Sequence, residues 1–232
     1  MKLKILVVDD EPQIRKQLKI GLGGYNYDVL TAANGQEAII LAAQHTPDII
    51  VLDISLGAGP DGIEVCRRLR EWSKTPIIML SVHDEEKTKV NALMAGADDY
   101  LTKPFGIEEL HARMIAIMRR IAVEPATNTR AEVRTGELLI DLVNRRVFVG
   151  DDEIHLTPKE YDLLRLLATH PGKVMTHRAI LTEVWGPEYG EMDNYVRVFV
   201  NTLRKKLREN PARNVRYILN EPGVGYRFVS DS

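Results

Sequence analysis

Short apolar runs alternate with helix-period segments along the first part of the chain. The candidate strands are Lys4–Val8, Tyr27–Ala32, Ile49–Leu52, Ile77–Leu80 and Tyr100–Leu101. Between them, apolar residues recur three and four positions apart, which predicts helices at about 12–22, 36–44, 62–71, 85–95 and 107–120. A strand followed by a helix, five times over, is typical of a doubly wound, five-stranded parallel sheet with helices on both faces. We therefore expect an α/β domain over residues 1–121.

The second part of the chain follows a different pattern. Residues 122–132 contain a proline and small polar residues without periodicity, and we interpret them as a linker. Residues 133–232 are expected to form an α+β domain, in which Thr157-Pro158-Lys159-Glu160 has the features of a capped helix start. The predicted segments are strands at 137–141, 145–149, 215–219 and 225–229 and helices at 158–169, 176–185 and 194–208.

Composition and charge exclude several classes of protein. Of the 232 residues, 44% are hydrophobic and 28% are charged, which are ordinary globular values that argue against disorder or a collagen-like chain. The N-terminus stops being apolar too soon for a signal peptide, and the single cysteine cannot form an internal disulfide. No apolar run reaches the roughly 18–20 residues needed to cross a bilayer. We expect a cytoplasmic protein that does not associate with a membrane.

Polar residues follow four of the predicted strands, at the edge where an open parallel sheet binds its ligands. Asp9 and Asp10 follow the first strand and Asp53 follows the third, while Ser81 and Lys103 follow the fourth and fifth. Carboxylates placed so close repel one another, and hard oxygen ligands of this kind suit Mg²⁺. Once phosphoryl oxygens are neutralised by the metal and by Lys103, one carboxylate can attack phosphorus. Asp53 is the best placed nucleophile.

Residues 1–120 resemble a response-regulator receiver domain. The resemblance is carried by Val8-Asp9-Asp10-Glu11, Leu52-Asp53, Leu80-Ser81, Gly96-Ala97-Asp98-Asp99-Tyr100-Leu101 and Lys103-Pro104-Phe105. It implies that Asp53 accepts a phosphoryl group from a sensor histidine kinase and that Lys103 contacts this group. It also implies that Ser81 and Tyr100 form the conformational switch. The implied ligands of Mg²⁺ are Asp9, Asp10, Asp53 and the backbone carbonyl of Ser55.

Basic residues dominate the end of the chain, although the net charge of the whole chain is −2. Residues 194–230 hold eight basic and two acidic side chains. On the predicted helix at 194–208, an apolar stripe leaves a basic and amide-bearing face that can reach phosphates and base edges. A charged run alone is usually a solvated surface. The strand pair around a glycine turn that follows the helix indicates a winged helix-turn-helix.

Residues 133–230 resemble the effector domain of the OmpR/PhoB family, from Leu156-Thr157-Pro158-Lys159-Glu160 to Gly223-Val224-Gly225-Tyr226-Arg227-Phe228. Shorter stretches look most like the KdpE branch, which controls potassium-uptake operons. The resemblance places the helix at 194–208 in the major groove of promoter DNA and the strand pair at the adjacent minor groove. The candidate DNA contacts are Arg197, Asn201, Thr202, Arg204, Lys205, Arg216 and Arg227. The loop Gly186–Met192 corresponds to the segment that meets RNA polymerase in relatives.

The resemblance further implies a homodimer that forms on phosphorylation through the helices at 85–95 and 107–120. The implied cross-dimer pairs are Lys89 with Glu109, Asp98 with Arg120, and Asp99 with Arg113, with Val90, Leu93 and His111 between them. The alternative is that these charges pair within one chain or with solvent, since an exposed ion pair is worth only about 0–1 kcal/mol.

Three other functions fit parts of the sequence. A phosphatase or phosphotransferase of the haloacid-dehalogenase type would also use Asp53, but that family expects a second acid two residues later, where this chain has Ser55. A regulator that is never phosphorylated would not need Asp53, Ser81 and Lys103 together. A dinucleotide-binding enzyme is disfavoured because no glycine-rich loop follows the first strand. We therefore expect a transcriptional regulator and not an enzyme.

Overall fold

The computed structural model describes residues 2–57, 59–83, 85–122, 132–189, 193–210 and 215–229, with the backbone alone at 120–122, 188 and 193. The chain forms two compact units, Met1–Glu124 and Pro125–Ser232. Residues 123–131, which make up most of the predicted linker, lie outside the described part.

The first unit is built on a five-stranded parallel sheet. Its strands are β1 (Lys4–Val8), β2 (Asp28–Ala32), β3 (Ile49–Asp53), β4 (Ile77–Ser81) and β5 (Asp99–Thr102), in the order β2-β1-β3-β4-β5. The helices that alternate with them are α1 (Pro12–Gly24), α2 (Gly35–His45), α3 (Gly62–Arg70), α4 (Glu86–Met94) and α5 (Ile107–Ala122). The predicted fold class of this unit is confirmed, and the elements differ from the prediction only at their ends.

The continuous apolar runs become central strands because both faces of the sheet are covered. Residues Ile49–Leu52 and Ile77–Leu80 are fully buried. On one face, α1 and α5 pack together closely around Gly21, where an added Cβ atom would lie 2.7 Å from the Ile107 side chain. A glycine at this point therefore lets the two helices approach each other.

The strand register brings the ends of four strands to one edge. Val8 lies opposite Leu52, Asp53 lies opposite Leu80, and Ser81 lies opposite Thr102. The polar residues that end or follow these strands consequently emerge together, as the sequence predicts for an open parallel sheet.

The second unit is α+β, as predicted. A four-stranded antiparallel sheet opens it, formed by β6 (Glu132–Thr135), β7 (Leu138–Asp141), β8 (Arg146–Val149) and β9 (Asp152–Glu153). There follow α6 (Pro158–Ala168), β10 (Met175–Thr176), α7 (His177–Val184), a 3-10 turn at Pro187–Tyr189, α8 (Asp193–Lys206), β11 (Ile218–Glu221) and β12 (Gly225–Phe228). Strands β10, β12 and β11 form a second antiparallel sheet. We call β11, β12 and the turn between them the wing.

Helix α6 begins as the sequence predicts. The Thr157 side chain accepts the N–H of Glu160 and the Glu160 carboxylate accepts the N–H of Thr157, which completes a capping box. Helix α8 buries one face completely, including Tyr195 and Phe199, and the Phe199 ring packs edge-on against Trp185 at 4.8 Å. The opposite face of α8 carries exposed polar side chains, among them Arg197, Asn201 and Lys205.

Among the helices in the described part of the chain, none combines the length and the apolar character that crossing a membrane requires.

Candidate phosphoacceptor pocket and nucleic-acid interface

Three carboxylates meet at the edge of the parallel sheet. Asp9 is fully buried, Asp53 is 4% exposed and Asp10 faces solvent. One oxygen from each lies within 4.8 Å of the other two. The structure thus brings together the three acidic side chains that the sequence predicts as metal ligands.

Lys103 completes the pocket from the end of β5. Its Nζ atom donates to Oδ2 of Asp9 at 2.8 Å and lies 3.2 Å from Oδ1 of Asp53. One ammonium group therefore bridges two buried carboxylates. The peptide bond between Lys103 and Pro104 is cis.

The negative charge of the carboxylates in the pocket exceeds the positive charge of Lys103. Burial raises the pKa of Asp53 to about 6, and the charges of Asp9 and Asp10 add to this, while Lys103 opposes it. Burial lowers the pKa of Lys103, but its hydrogen bond to Asp9 and the charge of Asp53 outweigh this, so the pKa is raised and the ammonium persists. Three carboxylates face one ammonium, and an all-oxygen donor set of this kind fits a hard divalent cation such as Mg²⁺.

Two glycines shape the loop that closes the pocket after β3. A Cβ atom on Gly57 would lie 2.9 Å from Oδ2 of Asp10, and one on Gly62 would lie 2.1 Å from the carbonyl oxygen of Asp53. Side chains at these positions would push the loop away from the acids. The predicted ligand Ser55 lies in this loop and is exposed. The sequence pattern alone does not identify these two glycines as part of the site.

Ser81 and Tyr100, the predicted switch residues, meet at His83. The fully buried Ser81 accepts the N–H of His83 on its Oγ atom at 3.0 Å. The Tyr100 hydroxyl donates to the carbonyl oxygen of His83 at 2.5 Å, and the Tyr100 side chain is buried. A single peptide segment thus connects the end of β4 to β5.

Five of the six predicted dimer charges, those whose side chains the structure describes, have partners within the chain. Arg113 bridges Asp99 at 3.2 Å and Glu109 at 3.1 Å. The buried Asp98 pairs with Arg70 at 2.8 Å. The Nζ atom of Lys89 lies 5.9 Å from the centre of the Tyr100 ring, and the side chain of Arg120 lies outside the described residues.

Two residues predicted to lie between these charges have other contacts. Leu93 is fully buried in the first unit. The His111 ring stacks on Tyr25 at 3.7 Å and its Nε2 atom lies 3.1 Å from the Tyr27 hydroxyl. His111 is half-buried on the side of α5 that faces the α1–β2 connection, a position that its helical spacing alone does not specify.

The exposed face of α8 and the wing enclose an open groove of about 570 Å³. Arg197, Asn201 and Lys205 on α8 and Arg216 before the wing are exposed, and their side chains form no hydrogen bond or ion pair within the described part of the chain. The groove is lined by His177, Arg197, Asn201, Arg204, Asn220, Pro222, Gly223 and Tyr226. This surface combines the cationic and amide groups that read phosphates and base edges.

Three of the seven predicted DNA contacts are engaged within the chain. Arg204 donates to the carbonyl oxygen of Ile218 at 2.9 Å. Arg227 pairs with Glu221 across the wing at 2.5 Å. The half-buried Thr202 donates its hydroxyl to the carbonyl oxygen of Val198 at 3.1 Å. The predicted polymerase loop is described up to Tyr189, which is buried, and its residues 190–192 lie outside the described part.

An acidic pocket on a doubly wound sheet, joined in one chain to a winged helix-turn-helix, defines a two-domain response regulator. Comparison with known proteins agrees with this class. Residues 5–115 match the family described as "Response regulator receiver domain" and residues 151–228 match "Transcriptional regulatory protein, C terminal".

The chain belongs to the OmpR/PhoB family of response regulators, and its function is phosphorylation-controlled regulation of transcription. It is 44% identical to the KDP operon transcriptional regulatory protein KdpE of Escherichia coli over 225 residues, which cover 97% of this chain and 98% of the relative. A mutant of RitR superposes with a TM-score of 0.77 at 29% identity, over 99% of this chain and 100% of that one. DrrB, an OmpR/PhoB homolog from Thermotoga maritima, gives 0.50 at 32% identity, with the same coverage.

Proposed function

We propose that Asp53 is the phosphoacceptor and that a sensor histidine kinase is the donor. The observation that carries this assignment is the position of Asp53, which is buried at the strand end, 3.2 Å from Lys103 and within 4.8 Å of two further carboxylates. A carboxylate oxygen of Asp53 forms a bond to phosphorus as the bond from phosphorus to the donor nitrogen breaks. The Lys103 ammonium neutralises charge on the phosphoryl oxygens during this transfer.

Asp9, Asp10, Asp53 and the backbone of Ser55 are the residues that would hold Mg²⁺. The bound ion would supply charge neutralisation for the incoming phosphoryl group. Asp9 also positions Lys103 in the absence of the ion. Its Oδ2 atom accepts a hydrogen bond from the Lys103 ammonium, and its Oδ1 atom accepts the N–H of Glu11 at 2.9 Å. The raised pKa of Asp53 makes its ionisation depend on positive charge in the pocket.

The phosphorylated pocket acts on the rest of the chain through Ser81 and Tyr100. A phosphoryl group adds a charge of roughly −1.5 to −2 and new acceptor oxygens, to which the Ser81 hydroxyl can donate. When Ser81 moves, its hydrogen bond with the N–H of His83 changes. The Tyr100 hydroxyl donates to the carbonyl of the same residue, so the change reaches Tyr100. The surface formed by α4, β5 and α5 is thereby reshaped, and two chains associate through it.

Association exchanges intrachain ion pairs for pairs between chains. The side chain of Glu109 is 49% exposed, and Lys89 is half-buried, so both can be reached from outside the chain. Arg113 already bridges Asp99 and Glu109 in one chain, so its contact with a second chain replaces an existing pair and adds little net free energy. The apolar area around these charges must therefore supply most of the affinity.

The dimer binds promoter DNA through α8 and the wing. Arg197 and Asn201 face outward at the groove and contact base edges, while Lys205 and Arg216 contact phosphates. The segment from Gly186 to Met192 faces RNA polymerase. Similarity to KdpE suggests the regulation of potassium transport as the physiological output.

The proposal is tested by measuring DNA affinity before and after activation. The probe is a short duplex that the wild-type protein selects from a random pool. Beryllofluoride with Mg²⁺, which mimics the phosphoryl group, is expected to tighten binding by at least about tenfold and to double the sedimenting mass. Unchanged affinity and mass would contradict the proposal.

A further inference from the structure

Helix α8 ends in a motif that turns the chain back towards the wing. The N–H of Arg208 donates to the carbonyl of Lys205 at 3.1 Å and the N–H of Glu209 donates to the carbonyl of Arg204 at 2.9 Å, which are the two bonds of a Schellman motif. Arg208 takes the left-handed conformation, with φ of +56°. The reversal brings the side chain of Glu209 inside the domain, where it is only 5% exposed.

The Glu209 carboxylate holds the beginning of the wing. Its Oε1 atom accepts the N–H groups of Tyr217 at 2.9 Å and Ile218 at 2.8 Å. Hydrogen bonds from a backbone N–H to a carboxylate are stronger than those between neutral groups. The first residue of β11 is therefore fixed to the end of α8 by a buried charge.

Arg204 holds the same residue of the wing from the helix itself. Its Nη2 atom donates to the carbonyl oxygen of Ile218 at 2.9 Å, and its Nε atom lies 3.4 Å from Oε2 of Glu209. The guanidinium also lies 5.8 Å from the centre of the Tyr226 ring on β12. Both polar groups of the Ile218 backbone are thus held, the N–H by Glu209 and the carbonyl by Arg204.

We infer that Glu209 and Arg204 form a clamp that fixes the wing relative to the recognition helix α8. Glu209 is then a positioning residue for DNA binding, although its buried carboxylate touches no DNA. The inference rests on the proposed binding of DNA by α8 and the wing. Because the two elements contact different grooves of one duplex, they bind together only when their separation is held close to the productive geometry.

Glu209→Gln tests the clamp in the full-length protein. The amide keeps the size of the side chain but removes the charge that holds two N–H groups and Arg204. With the duplex selected by the wild-type protein as probe, we expect about tenfold weaker binding, as for the loss of one charge-assisted hydrogen bond. Hydroxyl-radical footprinting is expected to lose the protection flanking the major-groove contact and to keep the central protection. Glu183→Gln, which makes the same charge change at an exposed position of α7, is the matched control and should bind as wild type.

Arg204→Lys separates positioning from simple attraction to phosphate. Lysine keeps the positive charge but lacks the planar fork that reaches both Ile218 and Glu209. The clamp predicts the same selective loss of wing protection as Glu209→Gln, and a double variant about as weak as either single variant. Wild-type affinity and footprint in Arg204→Lys or in Glu209→Gln would overturn the clamp. The clamp would also be overturned if a variant lost both the central and the flanking protection and no longer showed a cooperative thermal transition. Arg204 and Glu209 would then be needed for the domain to fold, and not specifically to position the wing. Failure of the wild-type protein to select any duplex would instead refute the proposed function.

Discussion

The side chains of Ser81 and Tyr100 bind the backbone of the same residue. Ser81 accepts the N–H of His83 at 3.0 Å, and the Tyr100 hydroxyl donates to the carbonyl of His83 at 2.5 Å. Ser81 lies at the end of β4, beside the strand that carries Asp53, whereas Tyr100 lies on β5. The backbone of His83 is thus the physical connection between the acidic pocket and the face that we propose for dimerisation.

This connection predicts that Ser81→Ala separates phosphorylation from its effect on DNA binding. The pocket keeps Asp53 and Lys103, so the variant should still be phosphorylated by acetyl phosphate. Alanine has no hydroxyl to donate a hydrogen bond to the phosphoryl group, so the variant should lose most of the gain in DNA affinity that phosphorylation gives the wild type. Ser81→Thr keeps the hydroxyl and serves as the control. A full gain in Ser81→Ala would show that the signal takes another route.

The raised pKa of Asp53 predicts a stability effect that depends on pH. Because the folded-state pKa of about 6 exceeds the unfolded value near 4, ionised Asp53 destabilises the fold above about pH 6, and this cost is absent below about pH 4. In EDTA at about pH 7.5, Asp53→Asn should therefore stabilise the first domain by up to about 3 kcal/mol. The melting temperature should rise by several degrees, and the gain should shrink as the pH falls towards about 4.

Two comparisons check the origin of that gain. Asp28→Asn, at an exposed position, should leave the melting temperature unchanged at either pH. Mg²⁺ should stabilise the wild type more than Asp53→Asn, since the variant loses one carboxylate ligand. If wild type and Asp53→Asn had equal melting temperatures at about pH 7.5 in EDTA, the buried charge of Asp53 would not destabilise the fold, contrary to this prediction.

Arg197 on α8 and Arg216 before the wing are expected to contribute differently to DNA binding, the first to sequence specificity and the second to general affinity. Arg197→Ala should reduce discrimination between the selected duplex and a scrambled one by about 1–3 kcal/mol. Arg216→Ala should weaken binding to both duplexes equally and lower the slope of log affinity against log salt by about 1. Titrations at several salt concentrations distinguish the two effects. The opposite pattern would exchange the roles that we propose for these residues.

The left-handed conformation of Arg208 predicts that glycine is better tolerated there than alanine. A side chain at φ of +56° costs about 1 kcal/mol relative to glycine. Both substitutions remove the exposed ion pair with Asp152, so their comparison isolates the backbone effect. Chemical denaturation should show Arg208→Gly to be more stable than Arg208→Ala by about 1 kcal/mol. Equal stability would contradict this reading of the helix end.

Buried apolar runs made the parallel sheet predictable, whereas the shortest strands of the second unit were missed. The continuous apolar runs in β3 and β4 are fully buried, as expected for strands covered on both faces. Strands β9 and β10 have two residues each and take their conformation from the strand beside them. The predicted strand at 215–219 instead begins at Ile218, and the N–H groups of Tyr217 and Ile218 both donate to Glu209.

The acidic pocket could be assembled from the sequence because every strand of a parallel sheet ends at the same edge. The contacts of the basic residues in the second unit could not be predicted from the sequence. Arg204 and Glu209 lie on either side of a helix end, and Arg227 and Glu221 lie on paired strands, so neither spacing follows a helical or strand period. Local charge identifies the basic surface, but only the three-dimensional structure separates residues that are free to meet DNA from those that hold the domain together.

Locating the phosphoryl group tests the central claim most directly. The wild-type protein is treated with acetyl phosphate and Mg²⁺, the acyl phosphate is trapped chemically, and the modified peptide is sequenced by mass spectrometry. We predict a single modification at Asp53, absent from Asp53→Asn, together with tightened DNA binding in the wild type alone. Modification of another residue, or labelling that persists in Asp53→Asn with the same tightening, would contradict the account.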